Sequence, residues 1–249
     1  MLEQHSADKS FAVLPQTSPG LSRRGLFGAA AVSVFLFGFR FPAVADGDAG
    51  AFAPNAFIRL DRSGGITLIM PQVEMGQGTY TSLSMILAEE LDADWSRVTV
   101  EHAPPDEKHY ANPMLGMQAT GNSNSVRAFW TPLRKAAAGT RAVLVQAAAA
   151  QLRVPASSLR TESSRVIHDA SGRAVAYADL LGRAAGLQVP ADPPLKDAKD
   201  FRLIGKPLKR LDTPDKTNGR VQYGIDVMPP GLKFATIAAS PRNTQSIDA

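Results

Sequence analysis

The residues best placed to do chemistry in this chain are Gly76, Gln77 and Gly78, inside the run Pro71-Gln72-Val73-Glu74-Met75-Gly76-Gln77-Gly78-Thr79. Gly76 and Gly78 carry no Cβ, so a ligand can approach the backbone there and a positive φ is open to both. Gln77 adds an amide that both donates and accepts. Just before the run, Gly65–Met70 is β-branched and apolar and reads as a strand. Just after it, Leu83, Ile86, Leu87 and Leu91 recur at helical spacing, which predicts a helix from about Gly78 to Leu91. A helix start presents unpaired N–H groups and a partial positive charge, and both favour an anion. The chemistry this spacing supports is the holding of a phosphate or of the polar edge of a cofactor. The same residues also make an ordinary tight turn from strand to helix. Glu74, which precedes the glycines, reads as a structural hydrogen-bonding residue rather than an acid or base.

A second stretch has a similar composition. Gln118-Ala119-Thr120-Gly121-Asn122-Ser123-Asn124-Ser125-Val126 offers six polar side chains and one glycine, just ahead of an Ala-rich helix over about 126–152. One Ser or Asn suffices to cap a helix, and four such residues stand here in a row. Pro132 and Gly139 are expected to bend or weaken that helix. Two polar loops, each opening a helix after a strand, could converge on one ligand.

The elements that must position these loops are legible in outline. Phe57–Leu60 and Ile66–Met70 read as a hairpin about Asp61–Gly65, and Arg97–His102 alternates as a further strand. Pro104–Pro113 reads as a solvated loop, in which His109 and Tyr110 could face a ligand. Short strands are expected at Leu159–Glu162, Arg165–Ile167 and Ala174–Val175, then a helix over Tyr177–Ala185; His168 reads as exposed or structural. Val189–Lys199, with Pro190, Pro193 and Pro194, reads as a linker, and Leu232–Ala239 as a strand in need of a partner. The fold class expected is α+β, a mixed sheet with packed helices.

Composition sets outer limits. The chain has 249 residues, 44% hydrophobic and 20% charged, with a net charge of +4. No basic stripe with interleaved aromatics appears, which argues against nucleic acid as a partner. There are no cysteines, so disulfides, thiolate metal ligands, iron–sulfur ligation and a cysteine nucleophile are excluded. At the N-terminus, Arg23-Arg24 precedes the apolar stretch Gly28–Phe39, and Ala43-Val44-Ala45 supplies small residues suited to cleavage. That pattern resembles a twin-arginine export signal over 1–45, which predicts a folded, periplasmic product; the alternatives are an uncleaved membrane anchor or a general secretory signal. Residues 46–55 are Gly/Ala/Pro-rich and are expected to be disordered.

Taken together, Gln72–Gly78, Gln118–Ser125, Ile204-Gly205-Lys206-Pro207 and Arg210–Gly219 make the chain resemble the molybdopterin-binding large subunit of the xanthine dehydrogenase/aldehyde oxidase family. The branch it is most similar to is the isoquinoline 1-oxidoreductase beta subunit, in its N-terminal part. The resemblance implies a partial molybdopterin-binding domain over 56–188, a linker over 189–200 and the truncated start of an α/β hammerhead domain over 201–249. It implies a molybdenum cofactor, molybdopterin or its cytosine dinucleotide, shared with domains this chain does not contain. Gly76, Gln77 and Gly78 would contact it on one side, and Gly121, Asn122, Ser123 and Ser125 on the other. This branch usually carries a second glycine where Asn122 stands. The family hydroxylates aldehydes or N-heterocycles, with a late glutamate as base that this chain lacks, so no catalytic residue is assigned. Electrons would pass to a small [2Fe-2S] subunit and on to an acceptor such as cytochrome c. The remaining part of the large subunit could be a separate chain. The alternative is a truncated, non-catalytic module that binds cofactor or a partner subunit.

Overall fold

The computed structural model describes residues 51–237. The export-signal reading of 1–45 lies outside the described residues, as do 46–50 of the expected disordered lead-in. Its other half is ordered: Phe52–Asn55 forms strand β1, paired antiparallel with β2 (Ile58–Leu60). Phe52 packs against the core, and the Asn55 amide donates to Ala136 O and Thr140 Oγ1, both at 3.1 Å. Those two anchors give the Gly/Ala-rich segment what composition alone did not reveal.

β2 pairs antiparallel with β3 (Ile66–Met70) across the expected turn, where the Asp61 carboxylate accepts from the N–H groups of Ser63 and Gly65. From β3 the chain passes through α1 (Thr79–Leu91) to β4 (Val98–His102), which lies parallel to β3 with Met70 opposite His102. The first sheet therefore has the order β1-β2-β3-β4. After β4, the expected loop contains a helical turn, α2 (Glu107–Tyr110). Tyr110 is buried there, with its hydroxyl on Ala56 O and its ring edge-on to Phe57. It faces the core, not a ligand. His109 bonds Asp106 through Nδ1.

The long helix α3 spans Ser125–Leu152 and runs through Pro132 unbroken. Beyond it, β5 (Arg160–Glu162), β6 (Arg165–His168) and β7 (Arg173–Ala176) form a separate antiparallel meander, and α4 (Tyr177–Ala184) follows. His168 bonds Ser171 Oγ beside the turn, in its expected structural role. One apolar core joins all these layers: Ile58, Leu60, Leu68 and Met70 of the sheet, Leu83, Leu87 and Leu91 of α1, Phe129, Leu133 and Leu144 of α3, and Val166 and Leu180 beyond. The architecture is α+β, a mixed sheet with packed helices, as the hydrophobic periods required.

Two expectations give way. Residues 189–200 are not a free linker but a strap held against the core. Lys196 reaches Glu89 Oε1 at 2.9 Å and Asp92 Oδ1 at 2.6 Å, while its carbonyl accepts from Arg134 at 2.6 Å. Glu89 Oε2 also accepts the N–H groups of Arg202, Leu203 and Ile204. Gly139, expected to weaken α3, is instead the notch for this strap: a Cβ there would stand 2.7 Å from Val189 Cγ1. A proline-rich stretch is stiff rather than loose, and two buried glutamates, Glu89 and Glu90, give it polar anchors, the Glu90 carboxylate accepting from Lys196 N. Second, Leu232–Ile237, the described part of the expected strand 232–239, is not a strand, and Phe234 and Ile237 are 84% and 92% exposed. A strand exists only in a ladder, and no described strand lies alongside it. From 201 to 237 the described chain holds only short helical turns and α5 (Thr213–Thr217). Among the described residues, no helix is long and apolar enough to cross a membrane.

Candidate functional site

β3 ends at Met70, and the polypeptide must turn back to begin α1. In open sheets with parallel strands, this end of the strands is where ligands gather. Gly76 and Gly78 both adopt positive φ, 104° and 88°, which a Cβ would strain. Nothing lies within 4 Å of an ideal Cβ at Gly76, Gly78 or Gly121. Backbone conformation thus requires the first two glycines, and open space above all three leaves room for a ligand.

The second loop reaches the same place by a longer route. Asn112, fully buried, accepts from Met114 N and donates its amide to Asn124 Oδ1 at 2.9 Å, which supports the turn from below. Gly121–Asn124 closes with Asn124 N donating to Gly121 O, and Asn122 and Ser123 stand at φ 54° and 49°. Two successive positive φ angles are the signature of a type I′ turn. Asn tolerates that region better than most residues, which explains how Asn122 can stand where a glycine was expected. Asn124 makes no capping bond to α3, and its Nδ2 is buried without a partner.

Gln72 joins the two loops. It is 1% exposed; its Nε2 donates to Ala119 O at 3.0 Å, and its Oε1 accepts from Ser125 Oγ at 2.8 Å. Beside it, Val73 N donates to Thr120 Oγ1 at 2.8 Å. Gln77, Gly121, Asn122, Ser123 and Ser125 consequently line one open cavity of about 510 Å³, together with Thr79, Thr120 and Arg127. Gly76 lines the adjoining cavity, of about 950 Å³, with Tyr80, His102 and Lys216. Gly78 is the residue from which α1 starts. Gln72 and Arg127 were not singled out as site residues from the sequence. Arg127 directly follows the polar loop, and that placement was the available signal.

The start of α1 differs from the expectation of free N–H groups. Glu74 Oε1 accepts from Gly76 N at 2.7 Å and Gly78 N at 3.0 Å, and Oε2 accepts from Tyr80 N at 3.1 Å. Arg210 donates to the same carboxylate at 3.0 Å and to Gly76 O at 3.0 Å. Burial of Glu74 works to raise its pKa, but the N–H bonds from Gly78, Tyr80 and Gly76 and the Arg210 charge outweigh it and hold the carboxyl below its ordinary value. Arg210 and Lys216 in turn hold Asp212 down at about 2. Tyr80 is hydrogen-bonded to His102 Nε2, and burial, then the Glu74 charge, push its hydroxyl pKa up. The structural role read for Glu74 is the one it plays. At α3, by contrast, the uncapped helix start opens into the shared cavity beside Ser123 and Arg127, an arrangement that suits an anion.

Residues 17–229 match the family model of the molybdopterin cofactor-binding domain. The chain is 35% identical over 265 residues to the beta subunit of isoquinoline 1-oxidoreductase from Brevundimonas diminuta, covering 89% of this chain and 34% of that protein. It is 35% identical to a membrane-bound aldehyde dehydrogenase of Gluconacetobacter polyoxogenes whose name carries pyrroloquinoline-quinone (86% of this chain, 29% of that protein). A subunit of nicotinate dehydrogenase from Pseudomonas putida is 33% identical (74% and 15%). Quinoline 2-oxidoreductase from Pseudomonas putida 86 superimposes with a TM-score of 0.42 at 19% identity, over 55% of this chain and 17% of that one. The chain spans about a third or less of the length of the curated relatives it matches. By its sequence it belongs to the molybdopterin-binding large-subunit family, of which it represents a part.

Proposed function

We propose that this chain supplies one wall of the cofactor cradle in a periplasmic molybdenum hydroxylase that oxidises an aldehyde or an N-heterocycle. The observation that carries the reading is the shared cavity: Gln77 from one loop and Ser123 from the other line a single space of about 510 Å³, within the range of small-molecule sites. The residues present suit a pterin with an anionic tail. Open space over Gly76, Gly78 and Gly121 admits a flat ring close to the backbone, while the α3 start and Arg127 offer positive potential to phosphate. Gln77 and Ser123 would hold the ring edge or the pyrophosphate, with Asn122 extending the contact that glycine would leave open. The group itself, when bound, supplies the redox chemistry of hydroxylation. The residues of this chain bind it, orient it and limit the access of water.

The cytosine dinucleotide form of the cofactor belongs to the same proposal. So do export by the twin-arginine route, electron transfer to a small [2Fe-2S] subunit and then to a cytochrome c, and assembly with the remaining part of the large subunit. Met75, Met114, Met117 and Val126 are exposed on or next to the two loops and provide apolar surface for that remaining part to cover. The test is to produce the chain together with the remainder of its large subunit in a host that makes molybdopterin cytosine dinucleotide. Molybdenum, oxidised-pterin fluorescence and CMP released by acid hydrolysis are then measured. Stoichiometric amounts of all three are expected. A purified complex that holds quinone or no redox group, and no pterin, refutes the proposal.

A further inference from the structure

The start of α1 already contains an anion, and that anion is part of the chain. Glu74 has a side chain only 2% exposed, yet it is charged and makes bonds on both carboxylate oxygens. Three alternate N–H donors, those of Gly76 and Gly78 in the glycine loop and of Tyr80 in the first turn of α1, point at it. The arginine that closes the arrangement comes from more than 130 residues later in the chain and also holds Gly76 O at 3.0 Å. Next to it, Leu211 N donates to Thr81 Oγ1 at 3.0 Å, and Asp212 holds the guanidinium from behind at 3.0 and 3.1 Å. Gln77 is folded into the same loop: its Oε1 accepts from Met75 N at 2.5 Å and its Nε2 donates to Val73 O at 2.7 Å.

We propose that Glu74 is a tethered anion, latched by Arg210, that fixes the Gly76–Gly78 loop in its ligand-receiving shape and keeps external anions from the start of α1. The inference rests on the cofactor reading above for its consequence, but the latch is a property of the chain alone. Two positive-φ glycines in one short loop have many alternative conformations. A carboxylate that accepts three N–H bonds selects one of them before any ligand arrives. The energy of ordering the loop is then not drawn from binding. Arg210 couples that order to the segment 206–217, so the glycine loop is set only when this later segment is docked. Glu74 and Arg210 are positioning residues in this scheme and touch no reacting atom.

Backbone amide exchange in the full chain, measured without cofactor, tests the latch directly. In the wild type the N–H groups of Gly76, Gly78 and Tyr80 are expected to exchange slowly. In Glu74→Ala they should exchange at least about tenfold faster, because each loses a charge-assisted bond, while amides in the middle of α1 and α3 stay unchanged. Formate, an untethered carboxylate, should restore slow exchange in Glu74→Ala and leave the wild type unaffected. Arg210→Met should loosen Gly76 and Gly78, whose acceptor oxygen it shares, more than Tyr80; Arg210→Lys should recover part of the loss. In co-produced complexes, pterin content should fall in Glu74→Ala and Arg210→Met. Fast exchange at all three amides in the wild type, no response to Glu74→Ala, no rescue by formate, or undiminished pterin in both variants each overturns the proposal. A wild-type complex without pterin, together with the expected exchange pattern, upholds the latch and refutes the cofactor reading.

Discussion

Replacing Gln72 by Leu tests whether one buried amide holds the two loops together. Leu fills a similar volume, so packing is nearly kept and the hydrogen bonds are what is lost. Gln72 donates to Ala119 O at 3.0 Å and to Pro71 O at 2.9 Å, and accepts from Ser125 Oγ at 2.8 Å. A polar group left buried without its partner costs ~1–3 kcal/mol. The Pro71 carbonyl is local to the turn and loses little, and the Ser125 hydroxyl can rotate toward the cavity. The loss falls mainly at Ala119 O and therefore comes to about 2 kcal/mol. For a chain of this size that corresponds to a fall in Tm of roughly 4–8 °C. Differential scanning calorimetry and urea unfolding of the full chain measure it. Gln72→Glu sharpens the test. The introduced carboxylate would face the Pro71 and Ala119 carbonyls, so its pKa rises on folding and the destabilisation grows as pH climbs above the ordinary glutamate value of ~4.3. A Tm loss under ~2 °C for Gln72→Leu, or a Gln72→Glu protein equally stable at about pH 4 and about pH 7, would show that the loops are held by something else.

Gly78→Val should lower stability by at least about 1–2 kcal/mol, since φ there is 88°, and should also abolish pterin retention; unchanged molybdenum content in that variant would remove Gly78 from the site. Ser123→Gly, at φ 49°, should stabilise the chain by up to about 1 kcal/mol, and Asn122→Gly by less, as read by urea midpoints. Arg134→Met leaves Glu90, which is fully buried, without its closest partner, so a loss of ~3–5 kcal/mol and faster proteolysis of the strap at 189–200 are expected. Burial works to raise the pKa of Glu89, but Leu203 N–H and Lys196 prevail and lower it from its ordinary 4.5. A carboxyl lowered on folding adds stability above its unfolded pKa and loses it as pH falls through the folded value. Glu89→Gln should therefore lower stability at about pH 6 and flatten the loss between about pH 4.5 and 3, which a pH series of urea midpoints would reveal.

Much of the site was legible because its signals are local. The glycines at 76 and 78 announced a turn that only positive φ could make, and the strand before and helix after followed from β-branched and helical periods. The loop at 118–125 was marked by more polar side chains than one helix cap needs. What the sequence could not show was which partner each polar group takes. The anion at the start of α1 proved to be Glu74, two residues before Gly76, because the loop curls far enough to bring its own carboxylate onto its N–H groups. The ordering of 52–55 and of 189–200 was hidden for the same reason: Asn55 and Lys196 find their partners 81 to 107 residues away. Composition reports an average tendency, and a single buried ion pair or amide can override it.

By itself, then, the sequence determined the α+β layering, the position of both polar loops at helix starts, the family and the absence of any thiolate chemistry. These follow from period, backbone conformation and residue type, which act over a few neighbours. Tertiary structure alone decided that Gln72 ties the loops into one cavity, that Arg210 latches Glu74, and that the proline-rich stretch is a strap. Each of these depends on a hydrogen bond or ion pair between residues far apart in the chain, and such contacts exist only once the core has brought their elements together.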